Sequence, residues 1–122
     1  VLAIDDPEIA AAVRYIRENA CRGAKVEDIL DDVPISRSIL ERRFRKYLGH
    51  SPQALIRQTR LKRVKQLLVD TDLTLAKISS LAGFRHQEHM CVLFKKEIGD
   101  SPGAYRRKVQ GASPVIDSPS RQ

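Results

Sequence analysis

The sequence predicts an all-α protein: about seven helices forming two helix-turn-helix subdomains joined by a long helix. Three observations carry this. Apolar residues recur at three- and four-residue spacing through nearly all of the chain. Glycines and prolines stand at the ends of those patterns, where helices stop and start. And "SRSILERRFRKYLGHSP" (36–52) returns fifty residues later as "HQEHMCVLFKKEIGDSP" (86–102), with Phe, a basic pair, Gly and Ser-Pro kept in place.

Asp6-Pro7 opens the first helix, Asp as cap and Pro at the first helical position. Ile9, Val13, Ile16 and Ala20 give it one apolar face, and Gly23 ends it. Val26, Ile29, Leu30 and Val33 make a short second helix that Pro34 stops, since a residue before proline is pushed out of helical geometry. Ser36 caps the third, whose stripe is Leu40, Phe44, Tyr47 and Leu48, with Gly49 as a left-handed stop. Ser51-Pro52 starts a long fourth helix to about Val69, with Leu61, Val64, Leu67 and Leu68 apolar. Thr74 caps a fifth helix, with Leu75, Ile78 and Ala82 inward and Gly83 at its end. A sixth runs from about His86 to Ile98 with Met90, Phe94 and Ile98 inward. Ser101-Pro102 opens a short basic seventh. The expected organisation is a first subdomain over 1–50, a linker helix over 51–70, a second subdomain over 71–110 and a disordered tail over 111–122, "GASPVIDSPSRQ".

The net charge of +7 is unevenly spread. Residues 1–36 hold eight acids and four bases, residues 37–65 one acid and ten bases, and residues 66–122 six acids and eight bases. A concentrated basic segment is the electrostatic footprint expected against a polyanion. A solvated face kept for solubility would carry the same excess. No apolar run approaches the ~20 residues of a membrane helix, and no secretory leader opens the chain. The abrupt Val1-Leu2-Ala3-Ile4 opening is what is expected of a domain cut from a longer protein. Cys21 and Cys91 stand far apart, which favours a reduced, cytoplasmic setting.

The repeat separates two kinds of position. Phe44 and Phe94, Leu48 and Ile98, Gly49 and Gly99, and Ser51-Pro52 and Ser101-Pro102 correspond at an offset of fifty. Val26 and Leu75, Ile29 and Ile78, and Val33 and Ala82 correspond at forty-nine. Each unit is thus a short helix, a tight turn and a longer helix, the arrangement that places its second helix in a DNA major groove. The outward positions do not repeat. On the third helix they are Arg37, Ser38, Glu41, Arg42 and Arg45; on the sixth, Gln87, Glu88, Cys91 and Val92, with Lys95 beyond. Arg suits guanine, Glu the cytosine amino group, Gln adenine, and Val a thymine methyl. Arg45 and Lys95, with Lys46, are expected at phosphates. So are the helix N-termini at Ser36, Ser51, His86 and Ser101, through exposed backbone N–H groups. The fourth helix adds Arg57, Arg60, Lys62, Arg63 and Lys65, of which one or two are expected to be structural. At ~27 Å that helix approaches the ~34 Å between successive major-groove segments on one face of DNA.

In these spacings the chain resembles the DNA-binding domain of the AraC/XylS family of bacterial transcription regulators. "ISSLAGFRHQEHMCVLFKKEIGDSPGAYRR" (78–107) carries the match through Ile78, Gly83, Phe84, Phe94, Lys95, Lys96, Gly99, Pro102, Tyr105 and Arg106, and "RLKRVKQLL" (60–68) matches the linker helix. The resemblance implies two recognition helices, about 37–48 and 87–98, in adjacent major-groove segments of a promoter. It implies base-reading positions at Ser38, Glu41 and Arg42 and at Gln87, Glu88 and Cys91, with Val92 beside them. Leu30 stands where the family packs a small Ala, Pro34 replaces the usual turn Gly, and His89 and Met90 replace an aromatic pair. A narrower resemblance joins the opening "DDPEIAAAVRYIRENAC" to xylose operon regulators within the family. It implies a sugar effector bound by a domain absent here, and RNA polymerase as a partner of the full-length protein.

Rival functions are weaker. His86, His89 and Cys91, with Glu88, lack metal-site spacing. No phosphate loop or paired acid and base marks an enzyme, and no cofactor is expected. A helical protein–protein interaction module is the alternative, but it requires neither the basic segment nor side chains suited to base edges.

Overall fold

The computed structural model describes residues 5–111, and every element among them is helical. In order these are α1 (Pro7–Asn19), a single 3₁₀ turn (Ala20–Arg22), α2 (Val26–Asp32), α3 (Arg37–Leu48), α4 (Pro52–Asp70), α5 (Leu75–Leu81), α6 (Gln87–Ile98) and α7 (Pro102–Gly111). Gly111 thus closes a ten-residue helix. The rest of the expected tail, 112–122, lies outside the described residues.

The helix ends follow from the side chains that satisfy their free amides. The Asp6 carboxylate accepts from the Glu8 and Ile9 amides. Ser36 Oγ accepts from Ile39, Ser51 Oγ from Ala54, Thr74 Oγ1 from Lys77 and Ser101 Oγ from Ala104. Each removes one orphan N–H from a helix start. Gly49 and Gly99 end α3 and α6 at φ +80° and +103°, and their amides return to the Arg45 and Lys95 carbonyls at 2.8 and 2.9 Å.

Two compact units divide between Arg60 and Leu61, inside α4. The first has a core of Ile9, Ile16, Ile29, Leu40 and Phe44 that also takes Leu55 and Ile56 from the start of α4. The second packs Leu61, Val64, Leu67 and Leu68, from the later turns of α4, with Ile78, Met90 and Phe94. The later part of α4 therefore stands to the second unit as α1 stands to the first. Val13, Ile16 and Ala20 match Leu61, Val64 and Leu68 at an offset of forty-eight, and all six are buried. Likewise the first turns of α4 match α7, "SPQAL" against "SPGAY". The duplication is larger than a two-helix motif: each unit is a helix, a helix-turn-helix and a closing helix.

One position of the expected apolar stripes differs. Tyr47 was expected in the buried stripe of α3, yet it is 39% exposed, with the Lys46 ammonium 5.5 Å from its ring centroid. Glu97, its counterpart, is exposed too, so this is a surface position in both units, where a phenol keeps its polar tip in water. The turns also differ. After α5, Gly83 at φ +92° closes a Schellman turn, with Phe84 N–H donating to the Ser79 carbonyl at 3.0 Å and the Phe84 ring buried. Proline cannot adopt positive φ. After α2 the chain instead leaves extended at Val33, and Ile35 N–H donates to the Val33 carbonyl across Pro34 at 2.8 Å.

An added Cβ at Gly49 or Gly99 meets no atom within 4 Å, so only backbone strain opposes alanine there. Gly49→Ala and Gly99→Ala are each expected to cost about 1–2 kcal/mol by chemical denaturation. Unchanged midpoints would show that the left-handed caps are dispensable.

Candidate nucleic-acid interface

The sequence "ERRFR" (41–45) places three arginines on α3, and the fold gives them different roles. Arg43 turns toward α1, where its Nη1 reaches Asp6 Oδ2 at 3.2 Å and Glu8 Oε1 at 3.1 Å. Arg42 and Arg45 are exposed, and neither guanidinium makes a hydrogen bond or ion pair to another described residue. The difference is one of helix phase, since 100° of rotation separates Arg42 from Arg43.

Arg37, Ser38, Glu41 and Arg42 share the outer side of α3. Ser38 and Arg42 stand open to solvent, while Arg37 and Glu41 are tied together. Arg37 Nη1 donates to Glu27 Oε2 on α2 at 3.3 Å, and its Nε lies 3.6 Å from Glu41 Oε2. Gln53 Nε2, in the first turn of α4, donates to the same Glu41 oxygen at 3.5 Å. The backbone amide that Glu27 engages and the neighbouring Arg37 hold the Glu27 carboxyl below the ordinary carboxylate range. Glu27 and Gln53 lie on other helices, so the sequence does not show their part in this network; it shows only the i,i+4 spacing of Arg37 and Glu41.

On α6, Gln87, Glu88 and Lys95 are exposed, Val92 is 68% exposed, and none of these side chains pairs with another described residue. Cys91 is half-buried beside them. Burial first, then the Glu88 carboxylate, pushes its thiol pKa up, so it remains a neutral thiol near pH 7. Neither Cys21 nor Cys91 is in a disulfide. The His89 ring lies edge-on to Phe84 at 5.8 Å. His86 takes the capping position that Ser36 holds in the first unit, but without a side-chain capping bond. Among the described residues, no three His, Cys, Asp or Glu side chains gather as a metal site. Nor is any helix there long and apolar enough to cross a membrane.

The expected phosphate contacts separate in the same way. Ser36, Ser51 and Ser101 cap helices, Lys46 folds over Tyr47, and Arg57 is exposed. Arg60 is structural. Its Nε donates to the Ala20 carbonyl at 2.8 Å and its Nη2 to Ala24 at 2.7 Å, and burial makes its guanidinium less basic than usual. Arg106 does the same in the second unit, donating to the carbonyls of Leu68, Thr71 and Leu73 at 3.2, 3.0 and 2.8 Å. Ala20 and Leu68 are corresponding residues, but the arginines are not: Arg106 aligns with Ile56, one turn before Arg60. The same clasp is reached from adjacent turns, so an alignment by repeat does not reveal it.

Comparison with known proteins agrees with this fold. A helix-turn-helix domain family model matches residues 29–108. The xylose operon regulatory protein of Escherichia coli K12 is 38% identical over 104 residues, which are 85% of this chain and 26% of that protein. The chain thus spans about a quarter of that relative's length. The solved structure of the xylose-binding transcription activator xylR superposes with a TM-score of 0.74 at 36% identity, over 88% of this chain and 28% of that one. The DNA-binding domain of the global transcriptional factor AdpA, solved with a target DNA, gives 0.84 at 25% identity, over 91% and 100%.

Arg60→Met and Arg106→Met each leave buried carbonyls without their charged donor, and each is expected to cost about 1.5–3 kcal/mol in chemical denaturation. Arg57→Ala, on an exposed face, is expected to stay within ~0.5 kcal/mol of the parent. Equal losses at all three would remove the distinction between clasp and surface arginines.

Proposed function

The chain belongs to the AraC/XylS family of helix-turn-helix domains, and we propose on that premise that it is the sequence-specific DNA-binding domain of a bacterial transcription regulator. In this proposal α3 and α6 each enter a major-groove segment of one promoter site, with α4 as the connecting helix of a 1–50, 51–70 and 71–110 organisation. The observation that carries it is the pair of outward faces. Two helices with matching buried sides present Ser38, Glu41 and Arg42 on one, and Gln87, Glu88, Cys91 and Val92 on the other, to solvent or its edge. Packing accounts for the repeated side; base edges account for the side that varies.

Affinity on this reading comes from phosphates. Arg45, Lys46, Arg57 and Lys95 carry the charge, and the helix starts at Ser36, Ser51, His86 and Ser101 supply amide donors. Cys91 contributes a small, neutral, weakly polar contact. In the full-length protein we place a sugar-binding domain outside this segment, RNA polymerase as partner, and the cytoplasm as the working compartment. The support is the similarity to xylose operon regulatory proteins.

Selection from a random DNA pool is expected to return two short motifs at fixed spacing. Arg42→Ala is expected to weaken the selected site and relax preference at one base pair by about 1–3 kcal/mol. Unchanged affinity and preference would remove Arg42 as a reader. Four neutralised phosphates give a log–log salt slope of about −3.6, at about 0.9 each. Arg57→Ala should flatten that slope by about one, and Arg60→Met, whose cation faces inward, should leave it unaltered. Binding indifferent to salt would instead favour a protein-interaction module.

A further inference from the structure

We infer that Arg37 does not itself read a base but, with Glu27 and Gln53, sets the carboxylate of Glu41 for one; the inference rests on the proposed role of Glu41 as a reader. The geometry turns on which atoms are occupied. The ion pair from Arg37 Nε at 3.6 Å and the hydrogen bond from Gln53 Nε2 at 3.5 Å address the same Glu41 oxygen, Oε2. Oε1 has no partner among the described residues. A carboxylate held by one oxygen presents the other, which is the arrangement needed to accept from a cytosine amino group.

Arg37 is itself anchored. Its Nη1 donates to Glu27 Oε2 at 3.3 Å, so α2 fixes one part of the guanidinium while another faces Glu41. Bidentate guanine reading needs two parallel N–H groups of that fork free together. Here Nη1 and Nε both face carboxylates. Arg42, on the same face, keeps its whole fork free and is the guanidinium suited to guanine.

Stability is not what this network supplies. The side chains of Arg37, Glu27 and Glu41 are 47%, 64% and 41% exposed, and ion pairs in that range contribute little to folding. Order is what it supplies. A glutamate held before binding loses less rotamer freedom when it meets its base. Its charge, repelled by phosphates, is offset by the guanidinium alongside.

The test is selection from a random DNA pool, read as preference at each base pair, for the parent and for Glu41→Ala, Arg37→Met, Arg37→Lys, Glu27→Gln and Gln53→Ala, each confirmed folded by its unfolding transition. Glu41→Ala should erase preference at one base pair. Arg37→Met should weaken preference at that same pair about two- to ten-fold and leave the Arg42 pair alone. Arg37→Lys should recover part of it, and Glu27→Gln and Gln53→Ala should cause smaller losses at that pair only. Arg37→Met combined with Glu41→Ala should be no worse there than Glu41→Ala. If Arg37→Met instead alters a different base pair, Arg37 is a reader in its own right and the inference falls while Glu41 keeps its role. An Arg37→Met profile identical to the parent's overturns it too. If Glu41→Ala changes no base pair, the assignment of Glu41 as a reader fails first.

Discussion

In each unit one phenylalanine on the outward-facing helix governs the rest. Phe44 and Phe94 are the largest fully enclosed side chains, each in the middle of the helix whose other side is turned outward. Burying such a ring is worth about 1.5–3 kcal/mol, and it fixes the rotation of the helix. With phase set at Phe44, Leu40 must also face inward, and Ser38 and Arg42 must face water. With phase set at Phe94, Met90 goes inward and Val92 outward. A glycine five residues after each ring, then Ser-Pro, stops the helix and starts the next. The presented face is therefore a by-product of core packing, free to vary in chemistry while its direction stays fixed.

Arginine shows how tertiary structure divides one residue type among several tasks. Arg43 joins α3 to the capped start of α1, and Asp6 serves both as that cap and as its partner. Arg60 and Arg106 donate to carbonyls at helix ends and in the turns that follow them. Arg37 is bound into a chain of side chains from three helices. Arg42, Arg45 and Arg57 are open to solvent. The high positive charge thus overstates the number of free cations, since several guanidiniums are committed to the fold.

The two turns show the same end reached by different backbones. A left-handed glycine with a buried Phe84 closes the one; an extended Val33 and a proline-centred turn close the other. The fixed negative φ of Pro34 excludes the left-handed conformation that Gly83 adopts, and the turn that contains it is one residue shorter.

Periodicity, caps and stops in the sequence determined the helices, the pairing of their buried sides and the outward set on α3 and α6, because these depend on residues within a turn or two of each other. They did not show that α4 is divided between two cores, that Tyr47 sits at the surface, or that Arg60 and Arg106 play one role from unmatched positions. Nor did they show that Glu41 is held from α2 and α4. Those outcomes depend on which distant carbonyl or carboxylate lies within reach of a long side chain, and only the packing of helices against one another sets that distance.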